Sequence, residues 1–415
     1  MLRSDVCLVC REPPLSSPST ILPPTAISRT PFLNAGHALD HLIMLIFPAA
    51  ALSMTAEFGL TYAELLPLSL GAFIAFGACS LPAGWLGDRW SLDGMMGVFF
   101  IGSGTVCCLT AMAQTPVQLA ICLSLLGVFA AIYHPIAPAL LVSGTTRRGR
   151  VLGINGFFGN FGVASAALTT GVLTDLASWR AAFAAPGAVL ILIGLVYIFT
   201  ITGTRMEAPK LAGNFRTLDF RFGSPSVRTL FIRLFAIILL AGLIFNATTV
   251  AMPKLFYERL ANLTSSATGV GVFVFGVFLF AGFAQLVAGP LIDRYSEKPV
   301  LTALLVLQIP CLALVTFADG WLLAISAAAM MFCVFGQIPV HDAIIARNIA
   351  AEYRARAYAL RYFVSFGASA AAIPMIAAAS GGRMFEELLA TLTVLTAIAF
   401  VIAVRLPSAT QAPLR

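Results

Sequence analysis

The chain has 415 residues, of which 59% are hydrophobic and only 10% are Asp, Glu, Lys or Arg. Soluble globular domains carry about 25% charged residues, so this composition excludes a water-soluble enzyme, and the mean hydropathy of +0.94 indicates that lipid solvates most of the chain. The net charge of +7 does not indicate a nucleic-acid partner, because the basic residues lie in short clusters between apolar segments, as in the cytoplasmic loops of membrane proteins.

The first residues hold six prolines with scattered Ser and Thr, which predicts a disordered cytoplasmic tail over 1–32. Beyond it, apolar runs of about 20 residues or more, each long enough to cross a bilayer, predict twelve transmembrane helices. Six fall in 33–201 and six in 229–404, namely 33–56, 62–83, 94–113, 117–143, 151–173, 179–201, 229–252, 269–291, 299–318, 321–345, 357–379 and 385–404. A basic linker, 202–228, joins the two sets, and a cytoplasmic tail, 405–415, follows the last helix.

The basic residues fix the expected orientation in the membrane. Nineteen of the 25 Lys and Arg residues fall in the tails and in alternate loops on one side, and four fall on the other side. Loops rich in Lys and Arg stay in the cytoplasm. We therefore expect both termini and the linker to be cytoplasmic, in a bacterial inner membrane.

Two motifs recur in the same order, which indicates a duplicated chain. The motif beginning at position 84 returns at 289, an offset of 205, and an Arg-x-Arg motif at 148 returns at 354, an offset of 206. The first motif contributes Gly84, Asp88 and Arg89, and its second copy contributes Gly289, Asp293 and Arg294. The repeat predicts two homologous six-helix halves in parallel orientation.

The loop Gly-x-Leu-x-Asp-Arg between spans two and three resembles the signature loop of the major facilitator superfamily. With the twelve spans, the parallel halves, the long middle loop and Trp179-Arg180-Ala-Ala-Phe183, the resemblance covers nearly the whole chain. Three shorter stretches resemble the fosmidomycin-resistance type of efflux transporter, namely His37-x-x-Asp40-His41, Ile132-Tyr133-His134-Pro135 and Gly159-Asn160-Phe161-Gly162. The resemblance implies an all-α membrane fold whose first and fourth helices in each half line a central cavity.

The repeated loops are expected to act as cytoplasmic gates. Their glycines lack a side chain where two helix ends must approach closely. Their Asp and Arg side chains can pair with each other or with a helix N-terminus. We expect these contacts to hold the two halves together in the outward-open state.

Asp40 is the strongest candidate for a functional residue. It lies seven residues after Leu33, roughly 10 Å inside the cytoplasmic end at ~1.5 Å per residue. His134 precedes the end of span four by nine residues, roughly 13 Å by the same rise. Ionisable groups at this depth are costly and mark functional sites, so we expect Asp40 to be the proton-coupling residue and His134 a relay or substrate contact. A structural polar pair is the alternative.

His37 and His41 flank Asp40 on one helical turn, so these three residues are possible ligands of a transported divalent metal. No further Cys, Met or carboxylate cluster completes such a site, and no metal site is expected. Both histidines are retained as cavity residues. Asn160, Asn246 and Gln337 are further cavity candidates, and the glycines around Asn160, which recur at every third position, are expected to permit tight helix contact.

These features predict a proton-coupled secondary transporter that exports a small organic solute or drug by alternating access. The alternative is an importer of a small metabolite, or a metal-ion carrier, with the same fold. An enzyme is not expected, because the chain has no P-loop, no H-E-x-x-H motif and no loop long enough to fold alone. The expected partners are a small-molecule substrate, protons and the lipid bilayer, with no cofactor and a monomeric state.

Overall fold

The computed structural model describes residues 28–142, 148–201, 225–348, 351–379 and 384–406. Within these ranges the chain is helical and contains no β-strand. The helices are α1 (Thr30–Phe58), α2 (Tyr62–Leu65), α3 (Leu70–Ala78), α4 (Ser80–Arg89), α5 (Leu92–Thr110), α6 (Pro116–Ala130), α7 (Tyr133–Val142), α8 (Arg148–Leu176), α9 (Trp179–Ile201), α10 (Pro225–Arg259), α11 (Ala267–Tyr295), α12 (Glu297–Phe317), α13 (Gly320–Asn348), α14 (Ala351–Ala379) and α15 (Met384–Val404).

Ten helical segments of the described chain are long and apolar enough to cross a membrane. The helices Tyr62–Ala78 and Ser80–Arg89, which meet at a bend of 41°, form an eleventh span if they are counted together. The expected eleventh span corresponds to α14, whose apolar part, Phe363–Ala379, is shorter than the others. The all-α membrane fold is therefore confirmed, with ten or eleven spans by length and composition where the sequence predicted twelve.

Proline residues interrupt the regular α-helix within the second and fourth spans. Pro67 lacks the N–H that would bond to Ala63, and the chain forms a 3-10 turn over Leu66–Ser69 at this point. Pro135 likewise cannot bond to the carbonyl of Ala131, and α6 gives way to α7 there. The second break matters for function because it places Tyr133 and His134 in the first turn of a new helix.

Two helix boundaries differ from the sequence prediction. Helix α1 begins at Thr30, inside the expected tail 1–32, and α10 begins at Pro225, inside the expected linker 202–228. The rest of that tail, through residue 27, and the linker through residue 224 lie outside the described residues, as does the C-terminal tail from residue 407.

The two halves meet at one end of the helices. Gly171 of α8 lies against the Ala267 carbonyl of α11, and a Cβ at Gly271 would lie 2.6 Å from the Ala167 carbonyl. A hydrogen bond of 2.7 Å from the Thr268 N–H to the Asp175 carboxylate joins the same two helices. One large hydrophobic core includes residues of both halves, whereas the opposite end of the second half has a separate core formed by α10, α11, α12, α13 and α15.

That opposite end is the one predicted to face the cytoplasm. The helices of the two halves therefore pack together at the side away from the predicted cytoplasmic loops.

Candidate functional site

Four ionisable side chains come together inside the first half. His37, Asp40 and His41 lie on one turn of α1, and His134 lies in the first turn of α7. The ring centroids are 5.0 Å apart for His37 and His41, 5.4 Å for His37 and His134, and 5.3 Å for His41 and His134. The three imidazoles thus form a nearly equilateral triangle. We refer to these four residues as the Asp–His cluster.

Asp40 lies at the inner edge of this cluster. Its side chain is fully buried, and its Oδ2 lies 3.4 Å from His134 Nε2. Neither carboxylate oxygen has a hydrogen-bond partner within the described chain. Asp40 and His134 are therefore neighbours, as their matched depths predicted, and the carboxylate lacks the donors that usually accompany a buried charge.

A hydrogen-bond network holds His37 in place. The Tyr133 hydroxyl donates to the Leu33 carbonyl at 2.7 Å, and the Asn155 amide donates to the Tyr133 hydroxyl at 2.9 Å and to Asn34 Oδ1 at 3.0 Å. His37 Nδ1 lies 2.8 Å from the Asn155 carbonyl oxygen. A carbonyl oxygen only accepts hydrogen bonds, so Nδ1 carries the proton, and in the neutral ring Nε2 keeps its lone pair.

Glycines of α8 provide the space for this arrangement. A Cβ at Gly159 would lie 2.5 Å from His37 Nε2 and 2.6 Å from its Cε1. Gly162 lies directly against the Ala38 carbonyl of α1. The first two glycines of the run have no atom within 4 Å of an added Cβ, so only part of the glycine run serves the helix contact that the sequence predicted.

The cluster also has the composition of a metal site. One ring nitrogen from each of His37, His41 and His134 lies within 4.8 Å of the other two. All three rings are partly buried. The sequence alone showed only the two histidines of α1, and the fold supplies the third from α7.

Gln337 does not join the cluster. Its amide donates to Gln308 Oε1 at 2.6 Å, and the Gln308 amide donates in turn to Thr396 Oγ1 at 3.4 Å. Both glutamines are buried. This chain of side chains connects α13, α12 and α15 within the second half, which indicates a packing role.

Neither Asn246 nor Asn160 forms a hydrogen bond with a residue of the cluster within the part of the chain described. The Asn246 amide donates to the Gly242 carbonyl of its own helix at 2.7 Å and to the Ser365 carbonyl of α14 at 3.4 Å. Asn160 is half-buried on α8. The neighbour that the sequence passed over, Asn155, is the asparagine that bonds to the cluster.

The two repeated loops differ at their glycines. A Cβ at Gly84 would lie 3.3 Å from Pro135 Cβ, whereas a Cβ at Gly289 would meet no atom within 4 Å. The expected close approach is therefore present at the first copy. Within the described residues it is absent at the second copy.

The charged residues of these loops face outward. The Arg89 guanidinium stacks over Trp85 at 4.1 Å from the ring centroid, and that of Arg294 over Tyr295 at 5.1 Å. The aspartate of each motif forms no ion pair with a described residue. Among the described residues, this conformation shows no ion pair of these aspartates that joins the two halves.

Sequence reasoning missed an ion pair at the start of α1. Arg29 donates from Nε and Nη2 to the two Asp93 oxygens, both at 2.8 Å, and the Tyr197 hydroxyl donates to Asp93 Oδ1 at 2.7 Å. Arg29 had been assigned to the disordered tail. A single arginine two residues before a proline gives no signal of such a partner on another helix.

The other end of α1 is fixed by the motif that opens α9. Glu57 accepts hydrogen bonds from Trp179 Nε1 at 2.7 Å and from Arg180 Nη1 at 2.8 Å. Nearby, a cavity of about 180 Å³ lies between α1, α8, α10 and α11, where the two halves meet. Its wall includes Ser53 and Thr170 among mostly apolar side chains.

Comparisons with known proteins agree with this architecture. The sequence model of the Major Facilitator Superfamily matches residues 40–264 and 234–414. A comparison with curated protein sequences finds no match.

Several solved structures share the fold at low sequence identity. A D-xylose–proton symporter superposes with a TM-score of 0.74 at 14% identity, covering 92% of this chain and 98% of its own. A bacterial homologue of the human lysosomal transporter Spinster, inward-facing and occupied, gives 0.73 at 14% identity, covering 90% and 95%. The nucleoside transporter NupG gives 0.70 at 14% identity, covering 92% and 100%. The family match extends over most of the sequence, and the chain therefore belongs to the major facilitator superfamily of membrane transporters.

Proposed function

We propose that this protein is a proton-coupled secondary transporter that exports a small organic solute or drug by alternating access. The observation that carries the proposal is the Asp–His cluster: a fully buried carboxylate and three imidazoles within the membrane-embedded first half. Ionisable side chains at membrane depth are rarely kept without a function.

Asp40 is the proposed coupling residue. A carboxylate without hydrogen-bond donors is costly to bury in its charged form, and taking up a proton removes that charge. Proton uptake and release at Asp40 therefore change the free energy of burying this part of α1, which favours one conformation over the other. His134, whose Nε2 lies 3.4 Å away, is the proposed proton relay or substrate contact.

The same reasoning extends to orientation and family branch. The excess of Lys and Arg on one side supports cytoplasmic termini, and the protein is proposed to act as a monomer in a bacterial inner membrane. The three stretches at 37–41, 132–135 and 159–162 support the fosmidomycin-resistance branch. Residues from each of these stretches meet in the cluster or its immediate surroundings, which supports a shared role.

An importer is the second candidate. It is favoured by one specific observation, namely that a D-xylose–proton symporter superposes with a TM-score of 0.74. Alternating access is reversible, and a proton-loaded carboxylate serves either direction of coupling. A carrier for a metal ion with the same fold belongs to this second group.

Transport in proteoliposomes under an imposed pH gradient tests the proposal. The compounds to be assayed include phosphonates, other organic anions, sugars, nucleosides and divalent metals. We expect an organic solute to move in the direction opposite to the proton flow, and we expect Asp40→Asn to abolish this movement. The matched control is Asp319→Asn, which removes an exposed carboxylate outside the cluster. Gradient-driven transport that survives Asp40→Asn unchanged would refute the coupling role, and uptake alone would favour the importer.

A further inference from the structure

The three imidazoles of the Asp–His cluster share a small volume that sequence reasoning did not anticipate. One ring nitrogen from each of His37, His41 and His134 lies within 4.8 Å of the other two. Three nitrogens bound to one zinc ion at about 2.0–2.1 Å lie roughly 3.3 Å apart. Small side-chain rotations that move each ring nitrogen by about 1 Å therefore bring all three nitrogens within bonding distance of one metal ion.

The network around His37 has the arrangement found around metal ligands. A histidine that binds a metal usually donates its second ring N–H to a carbonyl or carboxylate, which fixes the ring and its tautomer. His37 Nδ1 lies 2.8 Å from the Asn155 carbonyl oxygen, so its Nε2 is left to bind. Gly159 leaves the space that this nitrogen occupies, because a Cβ there would lie 2.5 Å from it.

Asp40 supplies the charge that a bound cation requires. Its carboxylate is fully buried, lies 3.4 Å from His134 Nε2 and accepts no hydrogen bond within the described chain. A buried charge is stable when it is paired or coordinates a metal. A divalent cation among the three imidazoles would stabilise the ionised carboxylate, either as a direct ligand or as a close neighbour.

The donor set selects the kind of metal. Imidazole nitrogen suits zinc, copper, nickel and iron, whereas magnesium and calcium prefer oxygen ligands. Three histidines with one open or carboxylate-filled position form a known coordination for zinc.

We infer that His37, His41 and His134, with Asp40 beside them, form a binding site for a divalent transition metal such as Zn²⁺ or Co²⁺. The inference concerns binding, and it does not depend on the direction of transport or on proton coupling. A bound metal occupies the ring nitrogens and the carboxylate proposed to carry protons, so metal and protons compete for the same atoms.

Metal titration of the purified full-length protein tests the inference. The protein is prepared in detergent with an affinity tag that contains no histidine and is then stripped with a chelator. We expect one equivalent of Zn²⁺ to bind, measured by calorimetry, and one equivalent of Co²⁺ to give the strong visible absorption of a four-coordinate site. Each of His37→Gln, His41→Gln and His134→Gln is expected to weaken binding by more than about tenfold.

Two further variants test whether weaker binding could come from another histidine or from a general loss of structure. His341→Gln removes the fourth histidine, which is buried on α13 in the second half, and is expected to leave stoichiometry and affinity unchanged. Gly159→Ala keeps every ligand but places a methyl group against the His37 ring, and it is expected to weaken binding by about tenfold, as disturbed supporting residues do. Every variant is compared by gel filtration.

Two results would overturn the inference. One is that the unmodified protein binds no more Zn²⁺ than a variant lacking all three histidines. The other is that His341→Gln weakens binding as much as the cluster variants do. Because binding is measured without a pH gradient, absent metal binding with intact gradient-driven transport removes this inference alone, and the reverse result removes only the coupling proposal.

Discussion

The first helix of each half shows how differently the two copies of the repeat have been used. Asp40 lies on α1, the first helix of the first half, and Asn246 lies on α10, the first helix of the second half. Asp40 is fully buried and has no hydrogen-bond donor within the described chain, whereas the Asn246 amide donates to the Gly242 carbonyl at 2.7 Å. The first helix of one half thus carries a buried ionisable group, and that of the other half carries a neutral amide that donates hydrogen bonds.

The partner helices show the same difference. At the offset of 206 set by the Arg-x-Arg motif, Asn155 of α8 corresponds to Arg361 of α14. Arg361 is itself buried, but it lies 3.0 Å from the Asp342 carboxylate. In the second half a buried arginine therefore pairs with a carboxylate, whereas in the first half a buried carboxylate lies beside an imidazole. This difference supports the proposal that proton coupling is centred on the first half, although the second half also buries His341 and Arg361.

Moving the carboxylate from α1 to α10 is the strongest test of this asymmetry. In the double variant Asp40→Asn with Asn246→Asp, the total charge is kept but the carboxylate leaves the imidazoles. We expect gradient-driven transport to fall by more than about tenfold, a change equal to roughly 1.4 kcal/mol, as in Asp40→Asn alone. The measurement is the initial rate in proteoliposomes under a fixed pH gradient. A double variant that regains most of the original rate would mean that the two halves are equivalent.

The glycine that faces His37 offers a second way to make the halves alike. Gly159 corresponds to Ser365 at the offset of 206. In Gly159→Ser the new side chain begins 2.5 Å from His37 Nε2, and overpacking of this kind costs about 1–3 kcal/mol. We expect a lower midpoint of thermal unfolding in detergent. The control is Gly156→Ser, where an added Cβ meets no atom within 4 Å, and an equal shift in both variants would contradict the packing of α8 on α1.

A comparison of variants at Asn155 and Asn160 tests the hydrogen-bond network that supports His37. Asn155→Ala removes the amide that donates to the Tyr133 hydroxyl and to Asn34, a loss of about 1–2 kcal/mol of folding free energy. Asn160→Ala changes a half-buried side chain outside this network and is expected to cost less than about 0.5 kcal/mol. Thermal unfolding of the two variants under one condition provides the measurement. A larger effect at Asn160 would place the functional asparagine where the sequence resemblance suggested.

The sequence predicted the fold well because its main signals are one-dimensional. Apolar runs, the bias of Lys and Arg, and the repeat of the Gly-x-Leu-x-Asp-Arg loop are all properties of the chain itself. The closeness of Asp40 and His134 followed from their matched depths on two helices that line the cavity in the resembling family. Even the break before Tyr133 is encoded locally, since Pro135 removes a helical hydrogen bond.

The contacts between side chains of different helices could not be predicted from these sequence patterns. Nothing near Arg29 indicates that it pairs with Asp93, 64 positions away. The choice between Asn155 and Asn160 depends on the rotation of α8 about its axis, which periodicity does not fix when glycines lie on several faces. Gln337 was predicted to line a cavity because it is polar within a span, but its amide nitrogen donates to Gln308 on the neighbouring helix.

Substitutions at the glycines of the two repeated loops are expected to have the smallest effect on stability. They compare the two halves at a site outside the Asp–His cluster. Gly289 lies in the interior of α11 with no atom within 4 Å of an added Cβ, and Gly84 faces Pro135 at 3.3 Å. Replacing a helical glycine by alanine in open space stabilises a helix by about 0.5–1 kcal/mol. Gly289→Ala is therefore expected to raise the midpoint of thermal unfolding by less than this gain, because Pro290 disfavours a Cβ on the helical residue before it, and Gly84→Ala to leave it unchanged or lower it. If Gly289→Ala raises that midpoint but slows transport, the glycine is needed for a close approach in the other conformation of the cycle. A lowered midpoint would instead mean that α11 already packs closely at this position.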